Sequence, residues 1–534
     1  MLQIPAVWRR STGPEKSELM LTREKALEAA GDGTFDAVVV GGGVSGAATF
    51  RELGRRGYRV LLVDRGDFAA GTSQASGMLI WGGLLYLRNL DLATVWKLSA
   101  ARDAMLLEEP EGVARLPFRY LPLESGGRSR LVVRAGLALY WALGRGRRPW
   151  PRSERKFPAR KLIQAERFLK SLVYEEAGLT SSDSRFALQW ILGWRDEARV
   201  ALNHCGLARG SWERNVSTWR LELEDRLGKR TLEVRTRTLI NAGGIWADRI
   251  NQQCGIESVH RHVLSKGVYL AFERPAELDE ALVFEMGEHG DSQTFTPWGP
   301  VALWGPTETA VERIEEGLTP TVEDVRFLLG QANRNLVRQR GAEDIVSMRC
   351  GIRPLAVRRG YRAAEYPLDL SRKHVVERDA KSAALTLFGG KITSAHVLAR
   401  EAADALESYL LPRQAPVYTT SRTSPKVHFP GLDEALPDPG WCQRHEACAT
   451  LDDYLRRRTN LAQWVPRQAL GRSGENTDHL VEIARAIRSN RARIEPRVSG
   501  AAQPGLTNDE SAAQADVAEI HQRAAKQDQL LGAV

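Results

Sequence analysis

The segment from Phe35 to Gly46 constrains the fold of this chain more than any other feature of the sequence. It has the pattern of an apolar strand, a glycine-rich turn and the start of a helix, and a second apolar strand then ends at Asp64. Gly41, Gly43 and Gly46 fill a G-x-G-x-x-G pattern, which permits a tight turn, close approach of a pyrophosphate and close packing of helix on strand. The helix N-terminus offers unpaired N–H groups to phosphates. Asp64 lies 23 residues after Gly41, near the roughly 20 expected for the carboxylate that binds a ribose. We therefore predict a dinucleotide-binding βαβ unit.

The fingerprint alone does not separate FAD from NAD, because both carry a pyrophosphate and an adenosine ribose. Further motifs follow in order: Thr72–Ser76, Leu79–Leu87, Asn241–Asp248, Gly351–Leu355, Ser371–Val375, Phe388–Thr393 and Arg444–Thr459. Together they resemble the FAD-dependent glycerol-3-phosphate dehydrogenase family, a branch of the D-amino-acid-oxidase-like flavoproteins, from about Phe35 to Arg472. The resemblance implies an α/β fold, with a Rossmann-like FAD-binding domain, an antiparallel-sheet substrate domain and a C-terminal helical cap. It also implies FAD as cofactor, oxidation of glycerol 3-phosphate by hydride transfer to the flavin, and a quinone as electron acceptor.

Two later glycine pairs support a cofactor site. Gly243–Gly244 follows an apolar strand that ends near Asn241, and Gly389–Gly390 follows the apolar run Ala384–Phe388 and precedes a helical pattern. Glycines at strand ends allow the backbone to close on a ligand. The predicted FAD-binding residues are Gly41, Gly43, Val44, Ser45, Gly46, Asp64, Arg65, Thr72, Ser73, Ser76, Ala242, Gly243, Trp246, Gly390, Lys391, Ile392 and Thr393.

A phosphorylated substrate requires fixed cations, for which arginine offers paired hydrogen bonds and lysine a point charge. Arg353, Arg372 and Lys391 occupy positions that carry basic residues around the substrate in the family that the chain resembles. We predict that these three side chains and Trp81 contact a small anionic substrate. Any one of the three basic side chains, taken alone, has the character of a surface charge, since the chain contains 75 Lys and Arg residues.

The chain departs from the family just after Thr72–Ser76, which we call the hydroxyl-rich segment. Met78, Trp81 and Leu85 stand where the family has lysine, histidine and arginine, whereas Tyr86 is retained. Oxidation of an alcohol requires the hydroxyl proton to leave, and an indole cannot accept it. Two explanations stay open at this point: the enzyme acts on a different hydroxy or amino compound, or the protein binds flavin without efficient turnover.

Arg353, Tyr86 and His374 are the predicted catalytic residues. Histidine and tyrosine ordinarily have pKa values of about 6.5 and about 10, so His374 is the better base near neutral pH. Its position near Arg372 is consistent with a side chain in the pocket, but equally with one on the opposite face of a strand.

The net charge of +9 and the pI near 9.4 indicate a basic surface. No nucleic-acid module with aromatic stacking positions accompanies it, so we expect no nucleic-acid partner. Leu131–Gly144 is an apolar stretch of 14 residues followed by basic residues, too short to span a bilayer. It is either an interfacial membrane helix or a core helix.

The five cysteines are scattered, which predicts neither a disulfide framework nor a metal site. We expect a cytoplasmic protein that contacts the inner face of the membrane peripherally. The sequence leaves the oligomeric state open, with a homodimer among the alternatives.

Composition shifts along the chain predict a discontinuous organisation. The predicted units are a leader (1–33), an FAD-binding domain (34–115, 193–252 and 384–408), a substrate domain (116–192 and 259–374), a linker (411–440), a helical cap (441–489) and a mobile tail (490–534). The segment between Arg199 and Asn241 is shorter than the family pattern, which puts one strand near the adenosine end in doubt.

Overall fold

The computed structural model of the protein describes residues 22–125, 127–286, 292–361, 370, 372–407, 409–410, 423–494 and 506–534. Most of the predicted leader, residues 1–21, lies outside the described residues, as do residues 411–422 of the predicted linker.

The strands in this part of the chain form two large sheets and one small one. They are β1 (Thr34–Val40), β2 (Val60–Val63), β3 (Leu79–Ile80), β4 (Val113–Leu121), β5 (Arg152–Glu154), β6 (Ser171–Leu179), β7 (Arg199–Leu202), β8 (Cys205–Glu213), β9 (Thr218–Asp225), β10 (Arg230–Asn241), β11 (His260–Glu273), β12 (Ala281–Glu285), β13 (Ser292–Trp298), β14 (Val301–Gly305), β15 (Thr309–Val311), β16 (Ile345–Arg358), β17 (Val375–Arg378), β18 (Ala384–Phe388), β19 (Lys426–Val427) and β20 (Leu436–Pro437).

The α-helices pack on these sheets or form the C-terminal part of the chain. They are α1 (Arg23–Gly31), α2 (Val44–Arg55), α3 (Leu92–Glu108), α4 (Arg130–Leu143), α5 (Asp183–Leu192), α6 (Ala247–Cys254), α7 (Val322–Asn335), α8 (Ala395–Leu406), α9 (Pro439–His445), α10 (Leu451–Asp453), α11 (Leu461–Trp464), α12 (Thr477–Ile494) and α13 (Leu506–Gly532).

The first sheet has the strand order β17-β18-β10-β1-β2-β7, and β18, β10, β1, β2 and β7 run parallel. Its central strands are apolar and buried on both faces, as a parallel sheet covered by helices requires. One face packs against α2, α5 and α8, and the other against α1 and β9. The predicted Rossmann-like fold is confirmed. It places the β1–α2 turn at the carboxyl edge of the sheet, where ligands bind in such folds.

The doubt about a strand near the adenosine end is resolved by the strands between residues 199 and 241. β7 pairs in parallel with β2, and β8, β9 and β10 form an antiparallel meander at one side of the same sheet. β10 is long enough to belong to both arrangements: its first half pairs with β9 and its last residues with β18. The strands between residues 199 and 241 are therefore present in the first sheet.

The second sheet is mainly antiparallel and has the order β15-β11-β14-β13-β12-β4-β6-β3, with β16 paired to β11 and β5 to β6. β11 and β16 are each 14 residues long and pair along nearly their whole length. Buried aromatic and aliphatic side chains beneath this sheet contact α7. The predicted antiparallel-sheet unit is confirmed in this form.

Two predicted domain boundaries differ from the structure. Leu79–Ile80, predicted within the FAD-binding domain, pairs with β6 in the second sheet. Helix α5, predicted within the substrate domain, packs on the first sheet through buried Phe186, Leu188 and Ile191. Segments that cross between two sheets have no local signal for the sheet that they join, because both environments are apolar.

The C-terminal helices confirm the predicted cap and correct the predicted mobile tail over residues 506–534, whereas residues 495–505 of that tail lie outside the described residues. Beyond the cap, α13 is a 27-residue helix whose apolar positions Ala513, Val517, Ile520 and Ala524 are buried against the cap. The spacing of these residues places them on one helical face, so packing orders a segment whose composition alone indicates disorder. Arg185 of α5 joins the cap to the helices on the first sheet. Its Nη1 and Nη2 donate to the two carboxylate oxygens of Glu446 at 2.6 and 2.7 Å.

Candidate active site

A cavity of about 1440 Å³ runs from the carboxyl edge of the first sheet to the second sheet. Pockets for a single small ligand have volumes of roughly 300–1,000 Å³. The cavity is therefore large enough for a dinucleotide together with a second, small ligand.

The β1–α2 turn forms the middle of the cavity wall. Gly41 has a positive φ of 107°, and a Cβ there would lie 2.5 Å from the carbonyl oxygen of Ala242. A Cβ at Gly46 would lie 1.8 Å from the carbonyl oxygen of Gly41, so this glycine permits the helix to pack on the turn. Gly43 and Ser45 line the cavity at the N-terminus of α2. This cradle of backbone N–H groups fits a pyrophosphate.

Asp64 closes the turn from the end of β2. One of its carboxylate oxygens accepts a hydrogen bond from Gly42 N–H at 2.7 Å, and the other accepts one from Gly66 N–H at 2.9 Å. Burial raises the pKa of Asp64 to about 6. The carboxylate lines the cavity beside Arg65, whose guanidinium lies 5.7 Å from the centre of the Trp246 ring. This end of the cavity is suited to an adenosine ribose.

The predicted FAD-binding residues come together along one side of the cavity. All of them line it except Gly46, which packs beneath the turn. Ser73 Oγ accepts a hydrogen bond from Val44 N–H at 2.9 Å, and Thr72 Oγ1 donates to the carbonyl of Ile352 at 2.6 Å. These bonds fix the hydroxyl-rich segment between α2 and β16. The residues present fit FAD.

The predicted substrate cations meet beyond this segment. Arg353 from β16 and Arg372 both line the cavity and approach the same carboxylate oxygen, Oε2 of Glu308, at 3.1 and 2.9 Å. The other oxygen of Glu308 accepts a hydrogen bond from the Ser265 hydroxyl. Two guanidiniums that share one carboxylate keep a net positive charge, which suits an anionic ligand.

The Arg353 side chain can lie against β11 because it passes over Gly267, whose direct partner in β16 is Gly351. A Cβ at Gly267 would lie 2.2 Å from the Arg353 guanidinium, at Nη2. Any larger residue at 267 would displace the guanidinium from the cavity wall.

Lys391 lines the same cavity as these arginines, in the segment after β18. Its Nζ is 4.4 Å from the centre of the Tyr86 ring, and it forms no ion pair with a described residue. Burial and the nearby Arg372 lower the pKa of Lys391 to about 7. Burial raises the pKa of Tyr86 to about 12. Of these two cavity side chains, only Lys391 can accept a proton near neutral pH.

Trp81 forms an apolar wall beside this pair. Its ring packs edge-on against Phe118, with 5.2 Å between ring centres. Two buried hydrogen bonds hold the main chain of the following residue, Gly82. Its N–H donates to Glu176 at 3.0 Å, and the Ser99 hydroxyl donates to its carbonyl at 3.1 Å. The position of Trp81 is therefore fixed by the protein interior.

His374 does not line the cavity, so its place in the structure gives no support to the predicted catalytic role. Its Nε2 lies 2.9 Å from Glu401, a partly exposed residue of α8. Residues 372–374 precede β17 and are not in a strand, so the alternation of strand side chains does not determine their directions. Arg372 contacts Glu308 at the cavity, whereas His374 contacts Glu401 on α8.

Among the cavity residues that sequence reasoning missed are Glu308, Lys266, Asp324 and Tyr269. Glu308 follows the buried apolar strand Val301–Gly305, and a charged residue just after such a strand is a usable signal. Lys266 and Asp324 form a buried ion pair with 2.5 Å between Nζ and Oδ2. Their pairing joins α7 to β11 and gives no sequence signal, because the two residues lie far apart in the chain.

Comparison with known proteins gives consistent results. Residues 36–405 match the family model DAO, described as FAD dependent oxidoreductase. The chain is 28% identical over 399 residues to the aerobic glycerol-3-phosphate dehydrogenase of Staphylococcus saprophyticus, covering 73% of this chain and 70% of that protein.

Two solved structures share the fold. One is the glycerol-3-phosphate dehydrogenase from Bacillus halodurans complexed with FAD, with a TM-score of 0.68 at 16% identity, over 94% of this chain and 98% of that one. Another is the L-alpha-glycerophosphate oxidase from Mycoplasma pneumoniae with FAD bound, with a TM-score of 0.54 at 16% identity, over 70% of this chain and 95% of that one.

Within the described part of the chain, no helix combines the length and the apolar character that crossing a bilayer requires.

Proposed function

We propose a function from the premise that this chain belongs to the DAO family of FAD-dependent oxidoreductases. The enzyme oxidises glycerol 3-phosphate to dihydroxyacetone phosphate and passes the electrons to a quinone. The observation that carries the proposal is the convergence of Arg353, Arg372 and Lys391 on the part of the cavity next to the predicted FAD-binding residues.

Each side chain of the site has a role in this reaction. Arg353 and Arg372 bind the phosphate and hold the carbinol carbon toward the cofactor side. Trp81 and Tyr86 exclude water from one wall of the pocket. Lys391, which takes the place of the missing family histidine, accepts the hydroxyl proton as the C–O bond becomes a carbonyl. Bound FAD supplies the two-electron acceptor for the hydride from the carbinol carbon.

A second candidate substrate is a different hydroxy or amino compound. Trp81 favours it, because an apolar ring replaces a polar side chain in the wall of the pocket. Glu308 also favours it, because this carboxylate occupies part of the hydrogen-bonding capacity of both arginines.

Anaerobic mixing of the FAD-loaded protein with glycerol 3-phosphate tests the proposal. We expect the flavin absorbance to bleach, and to recover when a soluble quinone is added. Bleaching by other alcohols or amines but not by glycerol 3-phosphate would support the second candidate. A flavin that no substrate bleaches would show a protein that binds the cofactor without turnover.

The same proposal includes peripheral contact with the cytoplasmic face of a membrane, where the quinone is found. Helix α4 supports it, since Leu131 and Val132 are 76% and 59% exposed. Trp150 nearby is 58% exposed, and the surrounding residues include Arg130 and Arg134. Exposed apolar side chains beside basic ones suit an anionic lipid surface.

A further inference from the structure

Glu308 is an unusual member of a site for an anion. Its carboxylate is 8% exposed, lines the cavity, and contacts both arginines that are placed to hold the substrate. Among the described residues, it is the acid that contacts both Arg353 and Arg372. Two other acids that line this cavity lie on α7, and neither pairs with the two arginines. Asp324 pairs with Lys266, and Glu323 is exposed at the start of the helix.

The carboxylate is held in place by the sheet. Ser265, which donates to Glu308, is fully buried in β11. It lies opposite Arg353 in the β11–β16 pairing and opposite Ala310 in the β11–β15 pairing. Ser265 and Arg353 both contact the carboxylate, and strand register fixes their positions. Glu308 therefore cannot move away from Arg353 without breaking these contacts.

We infer that Glu308 is a specificity-determining residue that sets the charge of the anion that this site selects. With Glu308 in place, the two guanidiniums offer a ligand one net positive charge instead of two. Glu308 thereby narrows the preference of the site for a doubly charged phosphate monoester over a singly charged anion, such as a carboxylate or a phosphodiester. This inference rests on the proposed function of Arg353 and Arg372, and it adds the charge class of the substrate.

The physical reason is that Coulomb energy is linear in charge. A fixed carboxylate a few ångströms from the ligand repels a dianion twice as strongly as a monoanion. If Glu308 lowers the affinity for a monoanion by some factor, it lowers the affinity for a dianion by about the square of that factor. Removing the charge must therefore change selectivity as well as affinity.

The test compares sulfate with methyl sulfate, which are tetrahedral anions of charge two and one that the enzyme does not oxidise. Dissociation constants are measured at pH 8 by calorimetry on the FAD-loaded protein. We expect the wild-type protein to bind the two anions within about threefold of each other. Glu308→Gln keeps the shape of the side chain and an acceptor for Ser265. In this variant, sulfate should bind at least tenfold more tightly than methyl sulfate.

Two further variants separate charge from geometry. Glu308→Asp keeps the charge and should keep the wild-type ratio of the two constants. Glu323→Gln removes one charge from the outer wall of the same cavity and should leave the ratio within about twofold. The inference is overturned if Glu308→Gln changes both constants by one common factor, if it weakens both, or if neither anion binds to it.

The outcome is independent of whether glycerol 3-phosphate is the substrate. A changed ratio in Glu308→Gln without bleaching by glycerol 3-phosphate would leave the charge assignment standing and reject the proposed substrate. Bleaching with an unchanged ratio would reject only the role of Glu308.

Discussion

Asp183 and Arg349 form a buried ion pair that holds the main chain of Ser76 on both sides. Oδ2 of Asp183 lies 2.8 Å from Nη2 of Arg349 and accepts a hydrogen bond from Ser76 N–H at 2.7 Å. Nε of Arg349 donates to the Ser76 carbonyl at 3.2 Å. Both side chains are only 1% exposed. The pair joins α5, which packs on the first sheet, to β16 of the second sheet. It thereby fixes the hydroxyl-rich segment between them.

Replacing one partner of this pair should destabilise the protein strongly. In Arg349→Met the carboxylate of Asp183 stays buried without its counter-charge, which costs about 3–5 kcal/mol of the free energy of unfolding. Urea denaturation of the FAD-loaded protein measures it. Arg115→Met is the matched control, because Arg115 forms an exposed pair with Glu175 at 2.9 Å and such pairs contribute about 0–1 kcal/mol. Equal losses in the two variants would contradict the assigned importance of the buried pair.

Asp64→Asn should weaken FAD binding. An amide offers one acceptor oxygen where the carboxylate serves two backbone N–H groups, so one of Gly42 and Gly66 loses its partner. A lost buried acceptor costs about 1–3 kcal/mol, which corresponds to roughly 5- to 150-fold in the dissociation constant of FAD. Quenching of FAD fluorescence on titration of the apoprotein measures this constant.

Asp36→Asn is the control for the Asp64 variant. Asp36 is buried in β1 of the same unit and accepts a hydrogen bond from Arg59 N–H at 2.9 Å, but it does not line the cavity. It should reduce stability with little change in FAD affinity. Weakened FAD binding in both variants would show that the effect on the cofactor is indirect.

The rate of flavin reduction should depend on the protonation of Lys391. Because burial lowers the pKa of this amine to about 7, it is charged below pH 7 and cannot accept a proton there. The rate should therefore rise with pH up to about 7 and level off above it. Lys391→Arg keeps the positive charge but cannot be deprotonated, so it should lower kcat by roughly 10²- to 10⁴-fold with a smaller change in KM. Stopped-flow reduction between pH 5.5 and 9 is the measurement, and a wild-type profile without an inflection would reject Lys391 as the base.

Trp81→His should rescue a variant that lacks the lysine. Both side chains line the same part of the cavity, so an imidazole at position 81 can replace the lost base. Starting from Lys391→Met, the added Trp81→His change should raise the rate of flavin reduction about tenfold, within the range for general base catalysis. In the wild-type background the gain should stay small. Trp81→Phe added to Lys391→Met tests the effect of ring size alone, and equal rescue by phenylalanine would refute proton transfer at position 81.

The membrane proposal predicts binding to anionic vesicles through α4. Replacing Leu131 and Val132 by Asp removes exposed apolar surface and adds negative charge, so sedimentation with phosphatidylglycerol vesicles should fall at least tenfold. Val216→Asp is the control, since Val216 is 51% exposed on the β8–β9 turn. Binding that survives the α4 substitutions but falls with Val216→Asp would place the contact elsewhere.

Nearly all the residues that the sequence predicts for the cofactor line the cavity of the structure. The glycine turn, Asp64 and the Gly390–Thr393 turn all lie within short segments whose spacing already implies their geometry. The predicted substrate cations Arg353, Arg372 and Lys391 also line the cavity, and they were singled out because they lie within motifs that match a family. The orientation of His374 could not be predicted, since it depends on an irregular turn before β17. The order of the tail was missed as well, because it arises from packing on a cap distant in sequence.

The sequence by itself determined the dinucleotide fold and the cofactor, and it predicted residues for the cofactor site that line the cavity. Local order of strand, turn, helix and acid is sufficient for these features, because they are formed by neighbours along the chain. Only the tertiary structure decided that Glu308 joins Arg353 and Arg372, that Lys391 lies over Tyr86, and that Asp183 meets Arg349. These contacts connect residues that are tens to hundreds of positions apart. Their charge balance depends on burial and distance, which exist only after the two sheets have packed together.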